Sequence, residues 1–496
     1  MQSVCLYFQV HQPYRLKKYR FFNLGNDHYY FDEYLNKSIV ERVAAKCYIP
    51  MNNLLLDLIK KYGKEFKVSF SISGLALEQF QEYTPHVLES FKKLADTGNV
   101  EFLAETYAHS LSGLHSKEEF ARQIQLHQEK IKSLFGQNTQ TYRNTELIYS
   151  DEIGAQIADL GFKTILTEGA KHILGWKSPN FVYTNAINPR LKVLLRNFRL
   201  SDDIAFRFSN QAWSEWPLTT DKFVGWLDKF DKKEQVLNLF MDYETFGEHQ
   251  WVETGIFEFM RNLPEKIINH PNLKFSTPAE ISKEYQPIAP IHVPNTISWA
   301  DEERDLTAWL GNEIQDEAFD KLYSVEKAMN ECTDPGLQKD WYRLQASDHF
   351  YYMCTKWFSD GDVHEYFTPY SSPYEAFINY MNVLSDFHIR LGNFTTKRES
   401  EESNNRNILQ QQEDVFEMLQ KLTNVKFLEL LKAWSVEELS FLYYESNQAL
   451  RDKILKVIGK KNFRQIQQYR ESTQSLSGRE LSNYKEKIRQ KIVVLN

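Results

Sequence analysis

Cysteine is scarce in this 496-residue chain: Cys5, Cys47, Cys332 and Cys354 are the only four, and none belongs to a Cys-x-x-Cys pair or to an array shared with histidines. No zinc signature built on sulfur is present, His-Glu-x-x-His is missing as well, and the composition points to a reduced compartment. A basic excess is also lacking. The 59 Lys and Arg are outnumbered by 67 Asp and Glu, for a formal net charge of -8, so there is no positive field for nucleic acid or anionic lipid and the expected partner is neutral. No run approaches the roughly 18 apolar residues of a membrane span, and no basic leader precedes the apolar segment Val4 to Val10. A cytoplasmic protein is therefore expected, with no membrane or nucleic-acid partner, no metal and no cofactor. Internal repeats at solenoid periods and long low-complexity tracts are absent too.

Aromatic residues are plentiful, at 14% with 10 Trp, 27 Tyr and 34 Phe. Such rings either fill a large core or offer flat apolar faces on which a sugar can stack. The chain is longer than one core usually grows, which predicts a catalytic domain of roughly 250 to 300 residues with appended material. Its first part repeats a short apolar run followed by a helical pattern. Strands are predicted at Ser3 to Val10, Phe66 to Ile72, Val100 to Glu105, Thr139 to Asn144, Thr164 to Leu166, Val193 to Leu195 and Val236 to Met241. Between them, Ser116-Lys117-Glu118-Glu119 predicts a capping box before the apolar face Phe120, Ile124 and Ile131, with Gly136 as the stop. Ser150 starts a helix that Gly161 ends, and Thr277-Pro278 opens a third.

Strands alternating with helices imply an α/β fold with a parallel sheet, and about 290 residues of such units suit a closed or nearly closed barrel over 1–290. The proline-rich stretch Gln286 to Pro294 reads as its exit. Residues 291–394 read as a helical bundle packed on the barrel. From Thr395 the chain turns polar, and Arg398 to Asn405 is a linker candidate before a last helical region, so that 395–496 forms a third segment.

Barrels gather their chemistry at the C-terminal ends of strands. The first strand ends in His11-Gln12-Pro13, where the histidine either faces a ligand or ties down a loop. Period two places Glu101 and Glu105 on one face of the third strand, with His109 just beyond, and solvated edge glutamates are the alternative. Glu146 closes the fourth strand immediately before a helix cap. The sharpest segment is Leu239 to His249, where an apolar strand runs into Asp242, Glu244, Glu248 and His249. Two carboxyl groups about 5 to 5.5 Å apart across a glycosidic bond are what retaining hydrolysis needs, one attacking the anomeric carbon and the other giving a proton to the departing oxygen. Neighbouring charge and burial would keep one of them protonated.

In order, His11-Gln12-Pro13, Gly98-Asn99-Val100-Glu101, Asn144-Thr145-Glu146, Asp242-Tyr243-Glu244-Thr245-Phe246-Gly247 and Gln345-Ala346-Ser347-Asp348 resemble the five sequence regions of glycoside hydrolase family 57. The resemblance runs to about residue 390. It implies an incomplete (β/α)7 barrel followed by a helical bundle, retention of configuration, and action on α-glucans or maltooligosaccharides as amylase, 4-α-glucanotransferase or branching enzyme. By motif it makes Glu146 the nucleophile, Asp242 the general acid/base and Glu244 a sugar-binding acid. His11 and Glu101 would add hydrogen bonds around the sugar, and Asp348 would reach the same subsite from the bundle. Glu105 joins this set from strand geometry alone. The stretch from Ile297 through Trp299 to Trp309 and Asn312 is most similar to the α-amylase-like branch, with Trp309 or Trp299 stacking on a glucose ring or filling the core. His349-Phe350-Tyr351-Tyr352 departs from the tryptophan-containing version of branching enzymes.

The expectation is thus a retaining hydrolase of α-1,4 glucans acting through a glycosyl-enzyme intermediate. A glucanotransferase or branching enzyme on the same scaffold is the alternative, and a non-catalytic α-glucan-binding protein a third reading. A metal-dependent polysaccharide deacetylase is disfavoured, because His109 and His115 lack the His-x-x-x-His spacing.

Overall fold

Strand β1 (Gln2–Val10) is buried at every residue, which explains why its sequence has no polar face: it is paired on both edges and covered on both sides. The strands that follow are β2 (Val68–Ile72), β3 (Val100–Phe102), β4 (Thr141–Arg143), β5 (Thr164–Glu168), β6 (Val182–Asn185), β7 (Lys192–Arg196), β8 (Val236–Asp242), β9 (Leu273–Phe275) and β10 (Pro290–Ile291). This computed structural model describes residues 1–356, 368–472, 483–484 and 487–488.

The strands form two five-stranded sheets. One runs β3-β2-β1-β8, with β9 beside the start of β1; the other runs β10-β6-β7-β5-β4. All pairs are parallel except β6 with β7. The sheets meet through isolated bonds instead of ladders. On one side Ala104 N donates to Thr141 O (2.9 Å) and Arg143 N to Ala104 O (2.8 Å); on the other Asn197 N donates to Asn238 O (2.9 Å). β1, β2, β3, β4, β5, β7 and β8 thus surround one interior as an incomplete (β/α)7 barrel, and these are the seven strands that the sequence predicts.

Register layers that interior. Tyr7, Ser69, Glu101 and Phe240 lie at one level, and Gln9, Ser71 and Asp242 at the next level up. Cys5, Tyr7, Leu103, Leu147, Leu166, Leu194, Val236 and Phe240 make an apolar plug. The alternate residues Phe8, Phe70 and Met241 join the core beneath the outer helices. Apolar filling below and polar residues above leave the barrel one chemically usable end.

Helix signals correspond to real caps. Ser116 Oγ accepts from Glu119 N at the start of Lys117–Phe135, and Gly136 closes it with φ 68°. The second half of the predicted box does not form, because the Glu119 carboxylate instead accepts hydrogen bonds from Arg122, Gln123 and Gln345. Ser150 caps Asp151–Asp159, and Thr277 with Glu280 forms a full box on Pro278–Glu284. Helices Glu313–Tyr323, Glu326–Asn330, Pro335–Leu344 and Asp348–Tyr351 follow the barrel within a first compact unit, Met1–Leu391.

The second unit, Gly392–Asn496, contains helices Asn424–Lys432, Val436–Glu445 and Gln448–Ser472 around Phe427, Leu430, Phe441, Leu442, Leu450 and Ile454. Lys453 Nζ donates to the carbonyls of Leu419, Gln420 and Leu422 at 2.6 to 3.1 Å. The polar run 398–405, expected as a linker, falls inside helix Pro373–Lys421: it holds neither Gly nor Pro, so nothing in it breaks a helix. No helix among the described residues is long and apolar enough to cross a membrane, and all four cysteines are buried and outside any disulfide.

One close approach holds the mouth of the barrel together. Gly247, at φ +111°, packs against the Lys46 carbonyl, where an added Cβ would collide. Lys46 belongs to the π-helical turn Ala44–Tyr48 between helices Glu33–Val43 and Ile49–Tyr62. Gly247→Ala should lower the urea midpoint by the equivalent of about 2 to 4 kcal/mol. Gly225→Ala, whose added carbon meets nothing within 4 Å, should leave the midpoint unchanged or raise it.

Candidate active site

The inward register of β1, β2 and β8 sets Asp242 beside Gln9 and Ser71 at the top of the apolar plug. Gln9 Oε1 is held by Tyr7 Oη and Ser71 Oγ (2.8 and 2.7 Å), which turns its amide toward Glu105. No hydrogen bond from a described residue reaches the Asp242 carboxyl. Burial, and then the charge of Glu146, push its pKa up to about 6.

Glu146 is presented by a turn in unusual backbone. Glu146 and Leu147 have φ 55° and 53°, a left-handed conformation costing non-glycine residues about 1 to 3 kcal/mol each. The turn is held by Leu147 N to Asn144 O (3.0 Å), Ile148 N to Thr145 O (2.9 Å) and Trp299 N to Glu146 O (3.2 Å). Both carboxylate oxygens are engaged: Oε1 meets His109 Nε2 at 3.0 Å, and Oε2 accepts from Trp299 Nε1 at 2.6 Å. Burial alone would raise this carboxyl. The His109 hydrogen bond and charge, the Arg143 charge and the Trp299 donor outweigh burial and bring it below the ordinary range.

His109 carries the connection inward. Its Nδ1 lies 2.9 Å from Glu105 Oε2, and its ring stacks on His11 at 4.0 Å with 19° between the planes. His11 bridges Ser73 Oγ (2.6 Å) and Asp348 Oδ2 (2.8 Å). Glu105 is fully buried and Glu146 about one-fifth exposed (21%), so the chain runs from the interior to the opening. The bundle segment bearing Asp348 is fastened to the same loop by the Ser110–Ala346 bridge and by Ser347 N donating to His109 O at 3.0 Å.

Two further groups flank the acids. Tyr48, on the π-helical turn, donates to Glu244 and accepts from Gln12 Nε2 at 3.2 Å. Burial and the charge of Asp242 raise Glu244 to about 8. Behind Trp299, the Arg143 and Arg196 guanidinium carbons lie 4.9 and 5.6 Å from its ring centre. Arg196 is paired with Glu168 and Asp202, whereas the buried Arg143 has no hydrogen-bond partner among the described residues.

Of the residues singled out from the sequence, Glu146, Asp242, His11, Glu105, Glu244 and Asp348 are brought together. Glu101 is not. It shares the inward face of Glu105 but lies four residues earlier, roughly 13 Å along an extended chain. There it accepts from Thr141 Oγ1 (2.6 Å) and from Ala279 N at the start of helix Pro278–Glu284 (2.8 Å). It also lines a separate cavity of about 260 Å³ with Lys67, Thr277 and Glu280. Trp309 is 2% exposed, and its ring is 6.1 Å from Tyr351, so it has no free face to offer a sugar. Trp299 instead sits in the site, as a donor to Glu146. His109, Arg143 and Tyr48 carry no role in the sequence reading; the four-residue step from Glu105 to His109 was the available signal for the first.

The sequence profile of "Glycosyl hydrolase family 57" matches residues 5–294. A protein of Methanocaldococcus jannaschii named "Putative alpha-amylase" is 45% identical over 412 residues, covering 80% of this chain and 87% of that protein. Among solved structures, a family 57 branching enzyme of Thermococcus kodakaraensis superposes with TM-score 0.60 at 14% identity, over 79% of this chain and 90% of its own. An alpha-amylase of Thermotoga maritima gives 0.54 at 13%, over 79% and 93%. A 4-alpha-glucanotransferase of Thermococcus litoralis gives 0.53 at 18%, over 70% of this chain and 56% of its own. These structural likenesses establish a shared fold, while the profile match covers more than half of the chain and includes both strand ends that carry Glu146 and Asp242. The chain is a glycoside hydrolase and belongs to glycosyl hydrolase family 57.

Proposed function

We propose that this enzyme cleaves α-1,4 glucans with retention of configuration, as an α-amylase. Glu146 is the nucleophile and Asp242 the general acid/base. The observation that carries this reading is the opposite treatment of two acids in one barrel mouth: Glu146 is hydrogen-bonded on both oxygens and kept ionised, while Asp242 receives no donor from the described residues and is pushed up to about 6. That division supports the acid's role for Asp242 and the nucleophile's for Glu146. Glu146 attacks the anomeric carbon as Asp242 gives its proton to the departing oxygen; Asp242 then takes a proton from water, which attacks the glycosyl ester and releases the sugar with its original configuration.

The neighbours supply binding. Glu244, neutral up to about pH 8, has a proton to give a sugar hydroxyl. Asp348, held well below the usual range by its contact with His11 despite burial, accepts from another. The named amylase relative supports the amylase reading. A glucanotransferase would use the same intermediate with a sugar hydroxyl in place of water.

Glu146→Gln should cut kcat for maltoheptaose by about 10,000-fold or more, with its Kd changed only a few-fold. Unchanged turnover would remove Glu146 from the nucleophile's role. Asp242 must be protonated to act, so kcat/KM should fall as pH rises through about 6, where Asp242 ionises. On the acid side kcat/KM should hold until below the ordinary glutamate range, and Asp242→Asn should erase the alkaline limb. Chromatography of products from maltoheptaose should show shorter chains only; products longer than the substrate would establish transfer.

A further inference from the structure

We propose that Glu105, His109 and Glu146 form a single ion chain in which a protonated His109 holds the Glu146 carboxylate ionised and in position, with Glu105 keeping the proton on the ring. His109 is then a positioning residue, and the inference rests on reading Glu146 as the nucleophile.

Hydrogen-bond bookkeeping around three histidines carries it. His127 Nε2 faces only a backbone acceptor, Ile72 O (2.8 Å), and its Nδ1 accepts from Glu105 N (3.2 Å), so one proton satisfies that ring. His11 is satisfied in the same way. Its Nε2 donates to Asp348, and its Nδ1 accepts from Ser73, whose oxygen in turn accepts from Ala76 N at 3.2 Å. His109 differs, because both of its nitrogens point at carboxylate oxygens, at 2.9 and 3.0 Å. An ionised carboxylate only accepts, so both contacts are hydrogen bonds only if the ring carries both protons. Stacking at 4.0 Å lets one of the two imidazoles be charged without a like neighbour. The directions agree: His109 is raised to about 9, because its two carboxylates outweigh burial, and burial lowers His11 and His127.

The charges that face this chain from other elements are Arg143 on β4, Asp242 on β8 and Asp348 on helix Asp348–Tyr351. None of these replaces His109, which alone among the described residues hydrogen-bonds Glu146 Oε1. In the first step Glu146 becomes a neutral ester and the imidazolium stays paired with Glu105. In the second, Glu146 departs as a carboxylate, and the waiting cation makes it a better leaving group. No proton leaves the ring in either step.

His109→Asn keeps a neutral donor and removes the charge, so Glu146 should ionise less readily and the acid limb of kcat/KM should move up by about 1 to 3 pH units. Glu105→Gln, which weakens the hold on the ring proton from the buried end, should lower the pH at which His109 loses that proton. A purely structural role would lower activity at every pH and leave the limb in place. An unmoved limb in His109→Asn, with Glu146→Gln inactive, overturns the ion chain and spares the nucleophile. An active Glu146→Gln overturns the nucleophile itself. Independently of any variant, a long-range ¹H–¹⁵N spectrum of the intact enzyme at pH 7.5 should show both His109 nitrogens protonated, and a neutral ring would refute the proposal.

Discussion

Two carboxyl groups withdrawn from water at one barrel mouth repel each other, and each also loses its hydration when ionised. The structure meets this constraint by supplying hydrogen-bond donors unequally. Glu146 receives His109 on one oxygen and Trp299 on the other, while Asp242, in register with Gln9 on the neighbouring strand, has a side-chain amide nearby that is committed to Glu105. The difference originates in backbone position. Asp242 ends a regular strand, where its surroundings are strand neighbours; Glu146 lies on a turn that swings its carboxylate toward the loop after β3.

Such backbone is expensive, and Glu146 and Leu147 on this turn and His109 on the loop after β3 all have it, with φ between 52° and 55°. The offsetting bonds come from outside the barrel strands. Trp299 N and the Tyr149–Ile297 bridge tie the Glu146 turn to the segment that follows the barrel, and Ser347 and Ala346 tie the His109 loop to the bundle. Arg304 binds the Trp299 carbonyl and lies beside Asp202. The helical region of the first unit therefore takes part in the site: it secures the strained loops on which the two chemically important side chains depend.

Much of this was legible in the sequence, for identifiable reasons. Long apolar runs bounded by turn residues revealed the seven barrel strands, and the crowd of acids after Met241 marked the working end of β8. Period two put Glu101 and Glu105 correctly on one face, but periodicity holds no information about depth, and the two ended on different levels with different partners. Among the tryptophans, sequence could not distinguish Trp299 from Trp309, because accessibility is a tertiary property: one is half-buried against Glu146, the other enclosed. β6, β9 and β10, of four, three and two residues, were missed, and β10 lies in the proline-rich stretch that reads as the exit from the barrel. His109 was unreadable as a partner of Glu146, since 37 residues separate them and only the β3–β4 crossover brings them together.

Charge conservation explains why the cations can stay fixed during the proposed reaction. Before the first step Glu146 is ionised and Asp242 is protonated; afterwards Glu146 is an ester and Asp242 is ionised. One negative charge has moved across the mouth without entering or leaving it. Arg143 favours the ionised form of both acids, and its buried guanidinium has no hydrogen bond among the described residues that would commit it to either. His109 also lowers both, although it touches only Glu146. A positive charge shared between the two positions stabilises the start and the end of the transfer alike, so the barrier need not include reorganisation of the surrounding charges.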